Sequence, residues 1–288
     1  MGIRGDPECD MNKTAIILIL VLCSSAWAGN IFTEDVNCVG LWTMEDLDAT
    51  DTADYSGNGN TLVNTGSYVD PNTSIIQEGA TSAYWADNAA AELQCFDRNL
   101  STNFPGKEGF SNTTVSACAW FRIETINSYA NICGKIEVSK ESWAIWVYSS
   151  GGPNVHLNIG NELGQGSESI THSGTTVAVN QWYHVGITYD GPTKAYRIRV
   201  WDETGGSATE TTGTATNAMN IENGTFGVMN QNVGDSTPGD SWALRGYIDE
   251  VVVFNDVLTA DEIDQIRGGT YGAATGTSDW WWRRRHSN

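Results

Sequence analysis

The 288-residue chain predicts an antiparallel all-β sandwich, and three observations carry that expectation. Short runs that alternate apolar and polar side chains recur from residue 39 to residue 254, the period of a half-buried strand. Turn-forming clusters separate them, at Gly151-Gly152-Pro153, Asp190-Gly191-Pro192 and Gly205-Gly206. Charged residues make up only 17% of the chain, against roughly 25% in an average domain. Gly, Thr, Asn and Ser fill much of the difference, and they disfavour helices. A single domain of this length is ordinary for an all-β fold, and 12 Trp, 10 Tyr and 7 Phe can fill its core.

At the N-terminus, Lys13 precedes an apolar run of nine residues, Ala15 to Cys23, and Ala26-Trp27-Ala28 offers a small-x-small cleavage site. Those parts make a secretory signal peptide. The run is shorter than the ~20 residues a membrane-spanning helix needs. We therefore expect residues 1–28 to be an upstream segment plus a removable leader, with Met11 as the start. Residues 29–270 are then the domain and 271–288 a linker and tail. The expected location is secreted or at the cell surface.

A formal charge of -20 disfavours nucleic acid and anionic lipid as partners and is compatible with calcium. Beyond the leader stand Cys38, Cys95, Cys118 and Cys133. An even number in an exported chain suggests two disulfides. We favour Cys118–Cys133, on strands expected to be neighbours, which leaves Cys38–Cys95; buried free thiols are the alternative. The spacing offers no zinc motif.

Along the domain, strands are expected at Val39–Met44, Thr114–Arg122, Ala130–Ile136, Ser142–Tyr148, Val155–Ile159, Trp182–Tyr189, Ala195–Trp201, Gly224–Met229 and Gly246–Phe254. Long loops are expected over residues 160–176 and 230–241. One short helix closes the domain: Thr259 is its N-cap, Glu262 completes a capping box, Arg267 lies in the last turn and Gly268 ends it.

Strand alternation also marks a candidate binding face. Trp143, Ile145 and Val147 share one side of a strand, while Trp146 and Tyr148 share the other. Val155, Leu157 and Ile159 read as core, leaving His156 and Asn158 outward. If these strands are neighbours, Trp146, Tyr148, His156 and Asn158 form an aromatic and polar patch suited to a sugar ring. The bland reading is that a loop covers these aromatics and they serve packing.

For catalysis, the E-x-D-x-x-E pattern of paired carboxylates on a strand has one near match, Glu262 to Arg267. It ends in Arg and lies on the expected helix. Asp249 and Glu250 are adjacent, so they face opposite sides of a strand. No G-x-S-x-G, H-E-x-x-H or P-loop pattern occurs. We expect no enzyme. The terminal run Trp280-Trp281-Trp282-Arg283-Arg284-Arg285 would suit surface retention or docking.

Four segments carry a family resemblance. They are Val39-Gly40-Leu41-Trp42 followed by Asp54-Tyr55-Ser56-Gly57-Asn58-Gly59-Asn60; Val115-Ser116-Ala117-Cys118-Ala119-Trp120; Gln181-Trp182-Tyr183-His184 leading to Asp190-Gly191; and Gly246-Tyr247-Ile248-Asp249-Glu250-Val251 leading to Leu258 and Glu262-Ile263. In this order, over roughly residues 36–270, they resemble the laminin G-like (concanavalin A-like) jelly-roll domains of bacterial exoproteins. Val200-Trp201-Asp202 departs from the turn common in that family.

The resemblance implies a two-sheet antiparallel jelly-roll sandwich with the first and last strands paired. It implies core positions for Trp42, Trp120 and Trp182. It also implies a structural Ca²⁺, for which we expect Asp54, Asn58 and Asp249 as ligands; the alternative is that Asp54 caps its own turn and Asp249 bonds backbone amides. The expected function is a binding module for carbohydrate. A structural or adhesive protein that binds protein or its own kind is the first alternative, and a glycoside hydrolase the second.

Overall fold

The structure is a computed structural model and describes residues 30–67, 69–85, 92–126, 128–137, 140–161, 166–230 and 242–272. The leader and the Trp/Arg run lie outside the described residues, as do residues 231–241 of the second expected loop. The first strands are β1 (Cys38–Trp42), β2 (Asp51–Thr52), β3 (Leu62–Thr65), β4 (Asp70–Asn72), β5 (Ser82–Trp85) and β6 (Glu92–Cys95). Five longer ones follow: β7 (Val115–Thr125), β8 (Tyr129–Glu137), β9 (Lys140–Tyr148), β10 (Asn154–Gly160) and β11 (Ser167–Thr176). The last are β12 (Trp182–Tyr189), β13 (Ala195–Asp202), β14 (Ser207–Thr214), β15 (Phe226–Val228) and β16 (Arg245–Phe254), before helix α1 (Ala260–Arg267).

These strands form two antiparallel sheets. The first runs β14-β13-β12-β7-β16-β5-β4, with β1 also on β16; the second runs β11-β10-β9-β8-β15-β6-β3-β2. The expected sandwich, with its first and last long strands paired, is present: Leu41 stands opposite Val252 and Trp42 opposite Val251.

Alternation decides what each strand buries. Val115, Ala117, Ala119, Phe121 and Ile123 of β7 meet Trp143, Ile145 and Val147 of β9 in the core between the sheets. In β16, Val251 and Val253 join that core, while Val252 and Phe254 face outward into a second cluster under α1 with Ile263 and Ile266. That two-sided burial is why the β16 sequence is continuously apolar. The helix starts as expected, since the Thr259 and Glu262 side chains form a reciprocal capping box.

Three expectations need correction. The cysteines are free thiols. Cys38 and Cys118 face the cluster under α1, whereas Cys95 and Cys133 face the core between the sheets, so each expected disulfide would have to cross the first sheet. Burial pushes all four thiols upward, Cys95 to about 12. Second, residues 167–176, expected as loop, form β11, whose hydroxyl-rich outward positions hid its alternation. Third, Tyr271 belongs to the domain: it is fully buried and stacks on Phe32 at 5.5 Å.

Candidate functional site

The outward positions of the second sheet converge as the alternation predicts. Trp146 stands opposite His156, Ala144 opposite Asn158 and Tyr148 opposite Asn154 across β9 and β10. On the other side of β9, Tyr129 stands opposite Tyr148 and Asn131 opposite Trp146. On β11, Ser169 and Thr171 complete the rows beside Asn158 and His156.

The aromatic rings form a stack standing on this face. Tyr129 lies parallel to Tyr148 at 4.5 Å and parallel to Trp242 at 4.2 Å. Trp146 meets Trp242 edge-on at 4.8 Å, and His156 meets Tyr148 edge-on at 5.6 Å. Offset and edge-to-face pairs of this kind are favourable beyond their buried area. The result is not an open platform, because Trp146 is only 2% exposed. It serves as the floor, and the half-buried Tyr129, Tyr148, Trp242 and Asn158 form the surface above it.

This face also holds hydrogen-bonding atoms without partners: Asn131 Oδ1, Trp146 Nε1, His156 Nε2 and Asn158 Oδ1. A fifth, Glu141 Oε2, lies at the end of the face. Glu141 stands opposite the outward-facing Ile136, and a Cβ added at Gly160, the next outward position after Asn158, would collide with the Glu141 backbone. The opposite sides of these groups are engaged. His156 Nδ1 lies 3.0 Å from Ser169 Oγ, and Asn131 Nδ2 donates to the Asn230 carbonyl. Burial holds His156 below the usual histidine range, so it is neutral at pH 7.

Tyr129, Asn131, Glu141 and Trp242 were missed by sequence reasoning. Extending the expected third strand by one residue and applying the same alternation would have found Tyr129. Trp242 lies outside every long strand and carries no local signal.

The expected calcium ligands do not assemble. Both Asp54 oxygens are committed to backbone, with Oδ1 accepting from Leu41 N at 3.0 Å and Ser56 N at 2.9 Å and Oδ2 from Asn60 N at 2.8 Å. Asn58 Nδ2 donates to the Cys38 carbonyl. Asp249 Oδ2 accepts from Gln77 N and Glu78 N, both at 3.0 Å. Asp54 caps the free edge of β1 while Asp249 belongs to β16 on the other edge, so β1 itself separates them. Among the described residues, no group of three or more His, Cys, Asp or Glu side chains is arranged to hold a metal ion.

Other residues are also accounted for. Glu262 caps α1, and Asp264 accepts from Arg199 Nη2 at 2.6 Å. Trp42 is core and Trp120 is buried. Trp182 is not core: it is half-buried on the outer face of the first sheet, beside Tyr247 at 6.3 Å. His184, packed edge-on against Trp120 at 5.1 Å, is pushed down to about 3 by burial.

Residues 97–264 match the family model described as the concanavalin A-like lectin/glucanases superfamily, of laminin G type. The chain belongs to that superfamily. This concanavalin A-like domain also resembles solved sialidase structures from Trypanosoma rangeli. One, a mutant displaying trans-sialidase activity, gives a TM-score of 0.53 at 12% identity, covering 79% of this chain and 32% of the sialidase. Another, in complex with sialic acid, gives 0.53 at 10% identity, covering 82% and 33%. The chain thus spans about a third of the length of these sialidases, and the likeness is one of fold. A sialyllactose-bound CBM40 of a Ruminococcus gnavus sialidase gives 0.42 at 13% identity, covering 54% and 82%. No curated protein matches the chain in sequence. No helix among the described residues is long and apolar enough to cross a membrane.

Proposed function

We propose that the protein is a carbohydrate-binding module, exported and non-catalytic, whose site is the outer face of the second sheet. The observation that carries this reading is the coincidence of a ring stack with unpartnered polar atoms on one face. Buried polar groups are nearly always paired, and leaving one unpaired costs about 1–3 kcal/mol. Here four such atoms gather beside Tyr129, Tyr148 and Trp242. Asn131 Oδ1 and Asn158 Oδ1 accept, and Trp146 Nε1 donates. These atoms are shielded beneath the half-buried rings, so a ligand reaches them only as those side chains part; a sugar hydroxyl both donates and accepts, so one ligand class answers both needs. The ring faces suit the C–H side of a pyranose. The carboxylates of the near-match motif are engaged in a helix cap and an ion pair, which supports binding over hydrolysis.

The test is affinity electrophoresis of the full chain through gels containing soluble polysaccharides, beside Tyr148→Ala and Asn158→Ala. At least one polysaccharide should retard the wild type. Each variant should lose roughly tenfold in affinity, about 1.4 kcal/mol, with its unfolding midpoint little changed. Retardation that survives both substitutions would place the site elsewhere. Capture of a second copy without any glycan would favour the adhesive alternative.

A further inference from the structure

The chemistry of this face sets the class of glycan, given the binding reading above. Charge is the discriminating property. Among the side chains that the structure describes, no Lys or Arg stands on the outer face of the second sheet. The sequence stretches 162–165 and 231–241 that adjoin its strands contain neither residue; Lys140, whose side chain is outside those described, begins β9 at the opposite end of that strand from Tyr148. The face carries the acidic side chain Glu141, and burial holds its imidazole, His156, below the usual histidine range.

Several of the described cations are engaged elsewhere. Lys135 Nζ is fully buried, 2.9 Å from Asp97 Oδ1, and also donates to the carbonyls of Glu222 and Gly224. Arg199 is paired with Asp264 at 2.6 Å, Arg197 with Glu210 at 3.0 Å, and Arg122 lies 3.5 Å from Glu124 on the opposite sheet. An anionic sugar would therefore bring its charge onto the half-buried ring face at the Tyr148 end of β9, where no described cation meets it. It would do so on a protein of formal charge -20. Desolvating a charge without a partner is strongly unfavourable, and like charge opposes the encounter.

A neutral sugar meets none of this. Its hydroxyls can meet the half-buried Asn158 amide and the Tyr129 and Tyr148 hydroxyls at the surface, and reach the shielded Asn131 Oδ1, Trp146 Nε1 and His156 Nε2 only as the rings above them part. We infer that the outer face of the second sheet selects neutral, hydroxyl-only glycans and rejects sugars that carry carboxylate or sulfate.

The experiment is a glycan array in which each neutral oligosaccharide stands beside its sialylated or sulfated counterpart, with lactose and sialyllactose as the reference pair. It is probed with the full chain, Tyr148→Ala and Thr171→Arg. Thr171 is exposed in the row of His156, whose Nδ1 its hydroxyl approaches at 3.3 Å; Ser169 Oγ at 3.0 Å remains as that nitrogen's partner, so an arginine there adds a cation and leaves the ring held. The expected result is binding to neutral members, with their anionic partners weaker by roughly tenfold or more. Tyr148→Ala should lose the signal, and Thr171→Arg should narrow the gap. Neutral binding should also change little between about 0.05 and 0.5 M salt, where charge pairing would be screened. Equal or tighter binding of the anionic members, lost in Tyr148→Ala, would overturn the selectivity and leave the site standing. Binding of no glycan, or binding untouched by Tyr148→Ala, would overturn the site and the selectivity together.

Discussion

Asp249 is fully buried, yet only Oδ2 has a hydrogen-bond partner in the 77–78 backbone; Oδ1 has none. Burial pushes its carboxyl from an ordinary 3.8 up to about 7, and burial pushes neighbouring Glu250 from 4.5 up to about 8. A carboxyl whose pKa is higher folded than unfolded binds more protons in the folded state. Its contribution to stability is therefore full below the unfolded value and falls away as pH rises through the folded one. For Asp249 that window runs from about pH 4 to about pH 7. The histidines act in the opposite sense, because burial lowers His156, His172 and His184, so each costs stability as pH falls below its unfolded value of about 6.5. The clean readout is thus a difference. Asn at 249 keeps an acceptor for the two amides and removes the titration. Urea unfolding of wild type and Asp249→Asn should show the wild type losing stability relative to the variant between about pH 4 and about pH 7. Parallel curves would mean that Asp249 is ionised across that range.

At the scale of elements, α1 reaches the first sheet through a glycine. A Cβ added at Gly186 of β12 would collide with Ile263 Cγ2, whose burial with Ile266 seals the outer cluster. Gly186→Ala should destabilise by roughly 1–3 kcal/mol, the usual cost of overpacking, seen as an earlier denaturant midpoint. A neutral effect would show that the helix can shift outward freely. The helix itself was legible in full, because capping boxes are local: Thr259 and Glu262 stand three residues apart whatever the rest of the fold does. The long strands were legible because alternation is also local, so Trp143 and Trp146 were assigned to opposite faces correctly. β11 was not, since Thr171, Ser173 and Thr175 blur the apolar–polar contrast on which the reading depends.

At the scale of the whole molecule, one side of the sandwich is closed by hydrogen bonds rather than by a strand. His172 of β11, fully buried, reaches across to β14 of the other sheet: Nδ1 lies 2.9 Å from Thr211 Oγ1 and Nε2 lies 2.8 Å from Thr209 Oγ1. Neutral imidazole offers one donor and one acceptor, and two hydroxyls match either tautomer. His172→Ala would leave a cavity and the Thr211 hydroxyl behind, while Thr209 keeps Thr175 Oγ1 at 2.5 Å. It should cost about 2–4 kcal/mol by urea unfolding, with the m-value unchanged. A loss below about 0.5 kcal/mol would show that the two edges hold together without it.

By itself the sequence determined the sandwich, its one helix and, for the long strands it revealed, the side that faces the core; the pairing of the first and last strands came with the family resemblance. The former follow from periodicity, caps and motifs within short stretches of chain. It also placed Trp146, Tyr148, His156 and Asn158 on one face, because two alternating strands needed only to be neighbours. What lay across from what was decided by the tertiary structure. It put Cys118 and Cys133 on opposite sides of the first sheet and set β1 between Asp54 and Asp249. It lowered Trp242 onto Tyr129 and so turned an expected open platform into a half-closed site. The physical reason is that strand alternation fixes which way a side chain points, whereas its neighbours come from sheet order and crossovers, which no short stretch of sequence records.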